Sequence, residues 1–259
     1  MERLSRIVWL QNWYLTTIRQ SSYNINMDVT KKLMELNPEL VLHNEGDWNN
    51  PLNPTKVGFT SFNDAGIETE TGEFLYSFVR LLKPDHVLET GTHFGVGAAY
   101  MGMALKNNNH GDLRTFEFLP EIYNKANQNL KALGLLDVVH THLMDIADFF
   151  PADGETYKLI LLDTEPQTRF AELIKFYPYL EEGGFIFIHD LHRHMHQIPN
   201  EEHGFAWPYG ELPAEIKGLV NNGQLRPMHF STPRGLTAFY KPHSEDYDFS
   251  KQTPKKGAK

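Results

Sequence analysis

The sequence predicts an α/β domain on a doubly wound, mostly parallel sheet with a late antiparallel strand and an N-terminal helical cap. Three observations predict it. From Thr69 onward short apolar runs alternate with segments of helical period. The run "YKLILLD" is apolar enough to be buried on both faces, as strands of parallel sheets are. Residues 1–65 lack the alternation and end in the Asn- and Pro-rich "HNEGDWNNPLNP".

Taken in order, the cap comes first. "WLQNWYLTTIRQ" spaces Leu10, Tyr14 and Ile18 four apart, and Leu33, Leu36 and Leu40 mark a second helix. Residues 1–65 are therefore expected to pack on the sheet domain as a cap; a membrane-surface or dimerisation helix, and with it a homodimer, is the alternative. In the sheet domain, residues 66–245, Phe74, Phe78, Leu81 and Leu82 form one helical face that stops at "KPDH", because Pro disfavours helix in the residue before it. The strand "HVLET", the turn "GTHFGVG" and the helix "AAYMGMALK" follow, and then "LRTFEF" alternates as a strand. Pro120 in a first turn, a stripe of Ile122, Ala126, Leu130 and Leu133, and Gly134 as terminator define the next helix. "DVVHTHL" and "YKLILLD" read as the third and fourth strands. "PQTRFAELIKFYPYL" places Phe170, Ile174, Tyr177 and Leu180 on one stripe, "EEGG" is expected to end that helix, and "FIFIH" is the fifth strand. "LRPMHFS" and "LTAFYK", joined by "TPRG", read as a hairpin with Arg234 exposed in its turn. Residues 246–259 form a basic tail.

Composition narrows the function. The 259 residues carry 24 Lys and Arg against 33 Asp and Glu, a formal net charge of −9, which disfavours a nucleic-acid partner. No stretch approaches the roughly 18 consecutive apolar residues of a membrane span. Gln11 and Asn12 interrupt the N-terminal apolar run and no small-residue cleavage site follows, so a cytoplasmic location is expected. The absence of cysteine removes disulfides, thiolate metal sites and cysteine nucleophiles together.

Ligands of open parallel sheets bind beyond the carboxyl ends of the strands. Here those ends are acidic: Glu89, Glu117, Asp145 after the third strand, Asp163, and the pair His189-Asp190. One such acid is more often a helix cap than a ligand, but five in succession indicate a site. The first turn, "ETGTHFGVG", spaces Gly91 and Gly95 as G-x-x-x-G, unlike the G-x-G-x-x-G of dinucleotide sites. Its glycines let backbone approach a ligand, and the helix behind it offers free N–H groups. An acid ending the second strand suits a ribose diol. His93 and Phe94 line the cofactor site or fill core, and Trp207 and Tyr209 in "HGFAWPYGELP" form a lid over the acceptor or pack against it.

These motifs, with "TGEFLYSFVRLLKPDHVLETGTHFGVG" in register, resemble class I S-adenosylmethionine-dependent methyltransferases over residues 65–240, and among them the small-molecule O-methyltransferases of the catechol and caffeoyl-coenzyme A type. The resemblance implies a Rossmann-like, seven-stranded sheet. It also implies that Glu89, Gly91, Thr92 and Gly95 surround the methionine part of S-adenosyl-L-methionine, that Glu117 holds the ribose hydroxyls and that Asp145 contacts the adenine. By the same resemblance Asp163 and Asp190, with or without His189, would hold a divalent ion, magnesium or manganese, near the acceptor hydroxyl. His189 departs from the hard-oxygen pattern of that ion site, and an alternative is a metal-free site where these residues bind the acceptor directly. Pro166 stands where several relatives place a base. His192 and His194 in "HDLHRHMH" are the nearest replacements, with Glu165 weaker. The expected function is O-methylation of a small-molecule hydroxyl, with a sugar or glycan intermediate favoured because a sugar hydroxyl needs more help to deprotonate than a phenol. A metal-dependent hydroxylase on the same fold, or a non-catalytic cofactor-binding module, are the competing readings.

Overall fold

The computed structural model describes residues 25–38, 42–44, 58–61, 66–191, 212–230 and 232–243. Expectations for Leu10, Tyr14, Ile18, Leu40, His192, His194, His196, Trp207, Tyr209 and the 246–259 tail lie outside them. Element order is α1 (Ile25–Leu36), β1 (Leu42–Asn44), β2 (Phe59–Ser61), α2 (Thr69–Leu82), β3 (His86–Thr90), α3 (Val96–Asn108), β4 (Asp112–Glu117), α4 (Pro120–Ala132), β5 (Val139–Leu143), β6 (Tyr157–Leu162), α5 (Arg169–Phe176), β7 (Leu180–His189), α6 (Ala214–Asn221), β8 (Arg226–Phe230) and β9 (Leu236–Tyr240).

β1 and β2 form a small antiparallel pair, and the other strands form one seven-stranded sheet in the order β5-β4-β3-β6-β7-β9-β8. β5, β4, β3, β6 and β7 run parallel, while β9 is antiparallel to both β7 and β8. The chain leaves β3 toward β4 and β5, then returns to lay β6 and β7 on the other side. The order thus reverses between β3 and β6, the position at which a crevice opens past the strand ends.

Successive strand residues point to opposite faces, and the two cores follow that period. Val87, Leu113, Leu159, Leu161 and Phe187 pack with α1, α2 and α3 on one face; Leu88, Phe116, Ile160, Leu162, Ile186 and Ile188 pack with α5 and α6 on the other. α1 belongs to the first core, since Val29 and Leu33 are fully buried in it. Asn37, just after it, donates from Nδ2 to Asn129 Oδ1 at 3.1 Å, and Asn129 donates in turn to the carbonyl of Phe94 at 3.0 Å. A side-chain relay therefore ties the cap helix to the glycine turn.

Three helix expectations shift. The fully buried face of α2 is Leu75 and Val79, while Phe74 and Phe78 are half-buried against Phe185 and Phe187, and Leu81 lies exposed at the end of the helix. α5 buries Phe170 as expected but continues with Leu173 and Phe176, leaving Ile174 exposed and Tyr177 only half-buried, while Leu180 is buried at the start of β7. "EEGG" does not end a helix. It lies inside β7, where Gly183 adopts φ +70 beside a register shift against β6 and donates its N–H to the Lys241 carbonyl, while Lys241 N–H donates to the Gly184 carbonyl. The glycines serve a bulge here instead of a helix stop.

Helix α2 lies against α3 at Gly72, where an added Cβ would overlap the buried Tyr100 ring. Gly72→Ala should therefore lower stability by about 1–3 kcal/mol. Gly218→Ala in α6, with nothing within 4 Å of its added Cβ, should be neutral or stabilising by up to about 1 kcal/mol. Urea unfolding of the two variants distinguishes these outcomes.

Candidate functional site

The glycine turn after β3 forms one half of the site. Gly91 at φ +81 brings its Cα against the Asp163 carbonyl, so a side chain there would meet backbone as well as strain. The backbone N–H groups of Gly91 and Thr92 donate to the Phe116 carbonyl at 3.2 and 2.9 Å, docking the turn on β4. Gly95, also left-handed, opens α3. The Thr92 hydroxyl faces inward, 2.6 Å from Thr115 Oγ1, and Thr115 donates to Glu89 Oε2 at 2.6 Å. Burial pushes the Glu89 carboxyl up to about 8, and its Oε1 lies against Gly97, where a Cβ would displace it. Glu117, at the end of β4, accepts from the backbone of His93 at 3.0 Å and of Leu119 at 2.9 Å. Those bonds fix the carboxylate at the turn. His93 holds φ +46 with its Nδ1 buried and unpaired, and burial lowers its pKa despite Glu117 and Asp163. Asp145 is exposed and caps the short turn Ile146–Asp148, accepting from Ala147 N at 2.8 Å. That bond accounts for it structurally, and its exposed side chain remains open to a ligand.

The other half joins the ends of β6 and β7 to α2 and the β8–β9 turn. Within the described residues, Asp163, His189 and Asp190 are the group able to offer three metal-ligand atoms within 4.8 Å of one another. The atoms are already engaged. His189 is fully buried, with Nδ1 2.9 Å from Asp163 Oδ1 and Nε2 2.8 Å from Glu68 Oε2. Glu68, just before α2, also accepts from Thr71 Oγ1 at 2.9 Å and from the backbone of Arg234 at 3.0 Å. Asp190, at φ +54, receives Arg234 Nη2 on Oδ2 at 2.9 Å, and Arg234 Nε lies 2.8 Å from Oδ1 without the alignment of a hydrogen bond. Arg169, the first residue of α5, donates to Asp163 Oδ1 at 3.2 Å, to Asp190 Oδ2 at 3.4 Å and to the carbonyls of Thr164 and His189.

Two guanidinium groups and an imidazolium thus face three carboxylates. Burial by itself would lower the His189 pKa, but Asp190, Asp163 and Glu68 outweigh it and carry it up to about 10. Burial would likewise raise Glu68 and Asp190; His189 and Arg234 hold Glu68 below the usual carboxylate range, and Arg234, His189 and Arg169 do so for Asp190. Both internal bonds to Asp163 land on Oδ1, and its side chain is about a tenth exposed, as is that of Asp190. Asp163 Oδ2 is therefore the carboxylate oxygen of the pair left outside these bonds, since Asp190 Oδ1 is buried and its Oδ2 takes both arginines.

The donor set does not fit a divalent ion in this arrangement. An imidazole whose two nitrogens both face carboxylate oxygens donates twice and keeps no lone pair for a metal. Asp190 has Arg234 against both oxygens. The expected exposed Arg234 is instead 4% exposed, because its turn folds back onto Glu68 and the Gly66 carbonyl. Sequence reasoning missed Glu68 and Arg169 as site residues; each sits one turn or less from a helix start, where a charged residue reads as solvated. Glu165 is exposed, with its carbonyl accepting from Thr168.

The raised His189 pKa fixes the sign of a pH effect. Its stabilisation is complete below about pH 6.5, the pKa of the unfolded chain, and is lost as pH rises through about 10. Wild-type stability should fall relative to His189→Gln across that window, by up to about 1.4 kcal/mol per pH unit. Parallel urea midpoints for the two proteins over that range would contradict the charge assignment.

Residues 88–191 match the family model of the methyltransferase domain. No protein of curated function matches the chain in sequence. Solved structures with similar folds include the O-methyltransferase TomG from Streptomyces achromogenes in complex with S-adenosylmethionine, 15% identical, covering 70% of this chain and 83% of its own, with a TM-score of 0.59. The O-methyltransferase from Bacillus cereus in complex with S-adenosylhomocysteine is 16% identical, covers 88% of this chain and 96% of its own, and has a TM-score of 0.58. Cofactor-bound Rv0187 from MTB is 16% identical over 69% of this chain and 82% of its own, at a TM-score of 0.57. Residues 88–191 thus match a methyltransferase domain, and the chain around them has the Rossmann-like fold of these solved O-methyltransferases.

Proposed function

We propose that this protein transfers the methyl group of S-adenosylmethionine to a hydroxyl of a small molecule, a sugar or glycan intermediate being the acceptor class its polar site suits best. The observation that carries this reading is the family match itself, since residues 88–191 run from the glycine turn to the end of β7 and include Glu89, Glu117, Asp163, Arg169, His189 and Asp190. In the proposed complex the methionine part lies over Gly91, Thr92 and Gly95, beside Glu89, with the ribose at Glu117 and the adenine near Asp145. Glu117 suits the diol because its two backbone bonds leave further lone pairs on each oxygen.

Methyl transfer is a direct displacement. The acceptor oxygen attacks the methyl carbon, the carbon–sulfur bond breaks, and S-adenosylhomocysteine leaves as a neutral thioether. The residues of this chain align the oxygen and receive its proton. Asp163 is proposed to orient the hydroxyl through Oδ2, which carries none of its bonds to His189 or Arg169. Asp190, charged and held by arginine, keeps the hydroxyl dipole aimed. His192, with His194 two residues on, is the proposed proton acceptor. No step is assigned to a divalent ion, for the donor-set reason above.

Calorimetry should show one cofactor site, weakened about tenfold or more in Glu117→Ala, the loss expected for hydrogen bonds to a charged group. An unliganded Glu89 with a pKa of about 8 is mainly protonated at neutral pH, and a cationic ligand beside it favours the ionised form. Binding at pH 7 should therefore release protons, seen as a dependence of the heat on buffer ionisation enthalpy, and Glu89→Gln should abolish the release. Absence of any binding of S-adenosylmethionine would overturn the proposal.

A further inference from the structure

We infer that Arg234 and Arg169 occupy the place of a divalent cation at the end of β6 and β7, so that the site is closed to metal ions and, on the methyl-transfer reading proposed above, needs no chelating pair of oxygens on its acceptor. Three carboxylates meet within one buried cluster, a concentration of charge that needs matching cations. Arg234 spans both oxygens of Asp190, 2.9 Å from Oδ2 and 2.8 Å from Oδ1, and is anchored from behind by the Gly66 carbonyl at 2.6 Å. Arg169 spans the two aspartates, reaching Asp163 Oδ1 and Asp190 Oδ2 from one guanidinium. A bridging position between those carboxylates is where an ion would have to sit. The planar guanidinium fork fills it with directed donors.

The consequence for substrate follows. A site with a metal selects acceptors that offer it two oxygens, as a vicinal diol or catechol does. Guanidinium groups buried to within about a twentieth of their surface present no open coordination position. Selection then falls on single hydroxyls able to donate to Asp163 Oδ2, the oxygen that carries no bond to His189 or Arg169. Arg234 acts through Asp190 and is a positioning residue.

The test is a titration of the full-length protein with Mn2+, followed by electron paramagnetic resonance of free Mn2+ and by thermal unfolding. Wild-type protein should show no stoichiometric site and no shift in unfolding temperature. Arg234→Met unpairs Asp190 and should gain Mn2+ affinity by about tenfold or more, with its unfolding temperature raised by the ion. Arg234→Lys should restore the wild-type indifference to Mn2+. If Arg234→Met does not fold, Arg169→Met is titrated in its place and should gain Mn2+ affinity in the same way. A stoichiometric Mn2+ site in wild type that is lost in Asp190→Asn would overturn the inference, as would variants that fold and gain no affinity. The titration uses no cofactor, so its failure is distinct from a failure to bind S-adenosylmethionine.

Discussion

His189 holds the structure of the site together because it lends one buried positive charge to two carboxylates on opposite sides of its ring. Glu68 comes from the start of α2, Asp163 from the end of β6, and His189 itself ends β7. An unpaired charge at such depth costs several kcal/mol, so none of the three is stable there without the others. Arg234 and Arg169 close the network from the β8–β9 turn and from α5. The antiparallel excursion of β9 between β7 and β8 has a use here: it delivers the turn carrying Arg234 to the carboxyl end of β7.

The same architecture separates two tasks along one sheet edge. Near β3 and β4 the groups are backbone N–H donors, inward-facing threonines and the carboxyl of Glu89, whose burial favours its neutral form. Near β6 and β7 they are ionised groups locked by one another. A cationic donor is suited to the first region, where Glu89 and Glu117 carry no ion pair among the described residues. A neutral hydroxyl is suited to the second, where charges are balanced and Asp163 Oδ2 stays outside the internal bonds. Gly91 joins the regions by packing against the Asp163 carbonyl, and the Asn37–Asn129–Phe94 relay carries the cap's position to the turn between them.

The parallel sheet, the hairpin and the acidic strand ends were legible because they rest on local signals: runs of apolar residues, turn residues and the last residue of each strand. The bridging network was not. Glu68, Arg169 and Arg234 lie far apart in sequence, and each stands next to a helix start or in a turn, where charge is ordinary. Nothing local distinguishes Arg234 in "TPRG" from a solvated turn arginine; its burial follows from where β9 inserts. His189 was legible as a departure from a hard-oxygen ligand, but its meaning required the carboxylate on its far side. The misread stripe of α5 and the glycines of β7 fail for a related reason, since tertiary pairing with β6 and β9 decides what "EEGG" becomes.

Nitrogen-15 chemical shifts of the His189 ring in the full-length protein, assigned by comparison with His189→Gln, test the central claim most directly. Two protonated nitrogens at pH 8, with the shifts of an imidazolium, are the predicted result. A neutral ring with one unprotonated nitrogen at that pH would contradict the paired-carboxylate account and free that nitrogen for a metal.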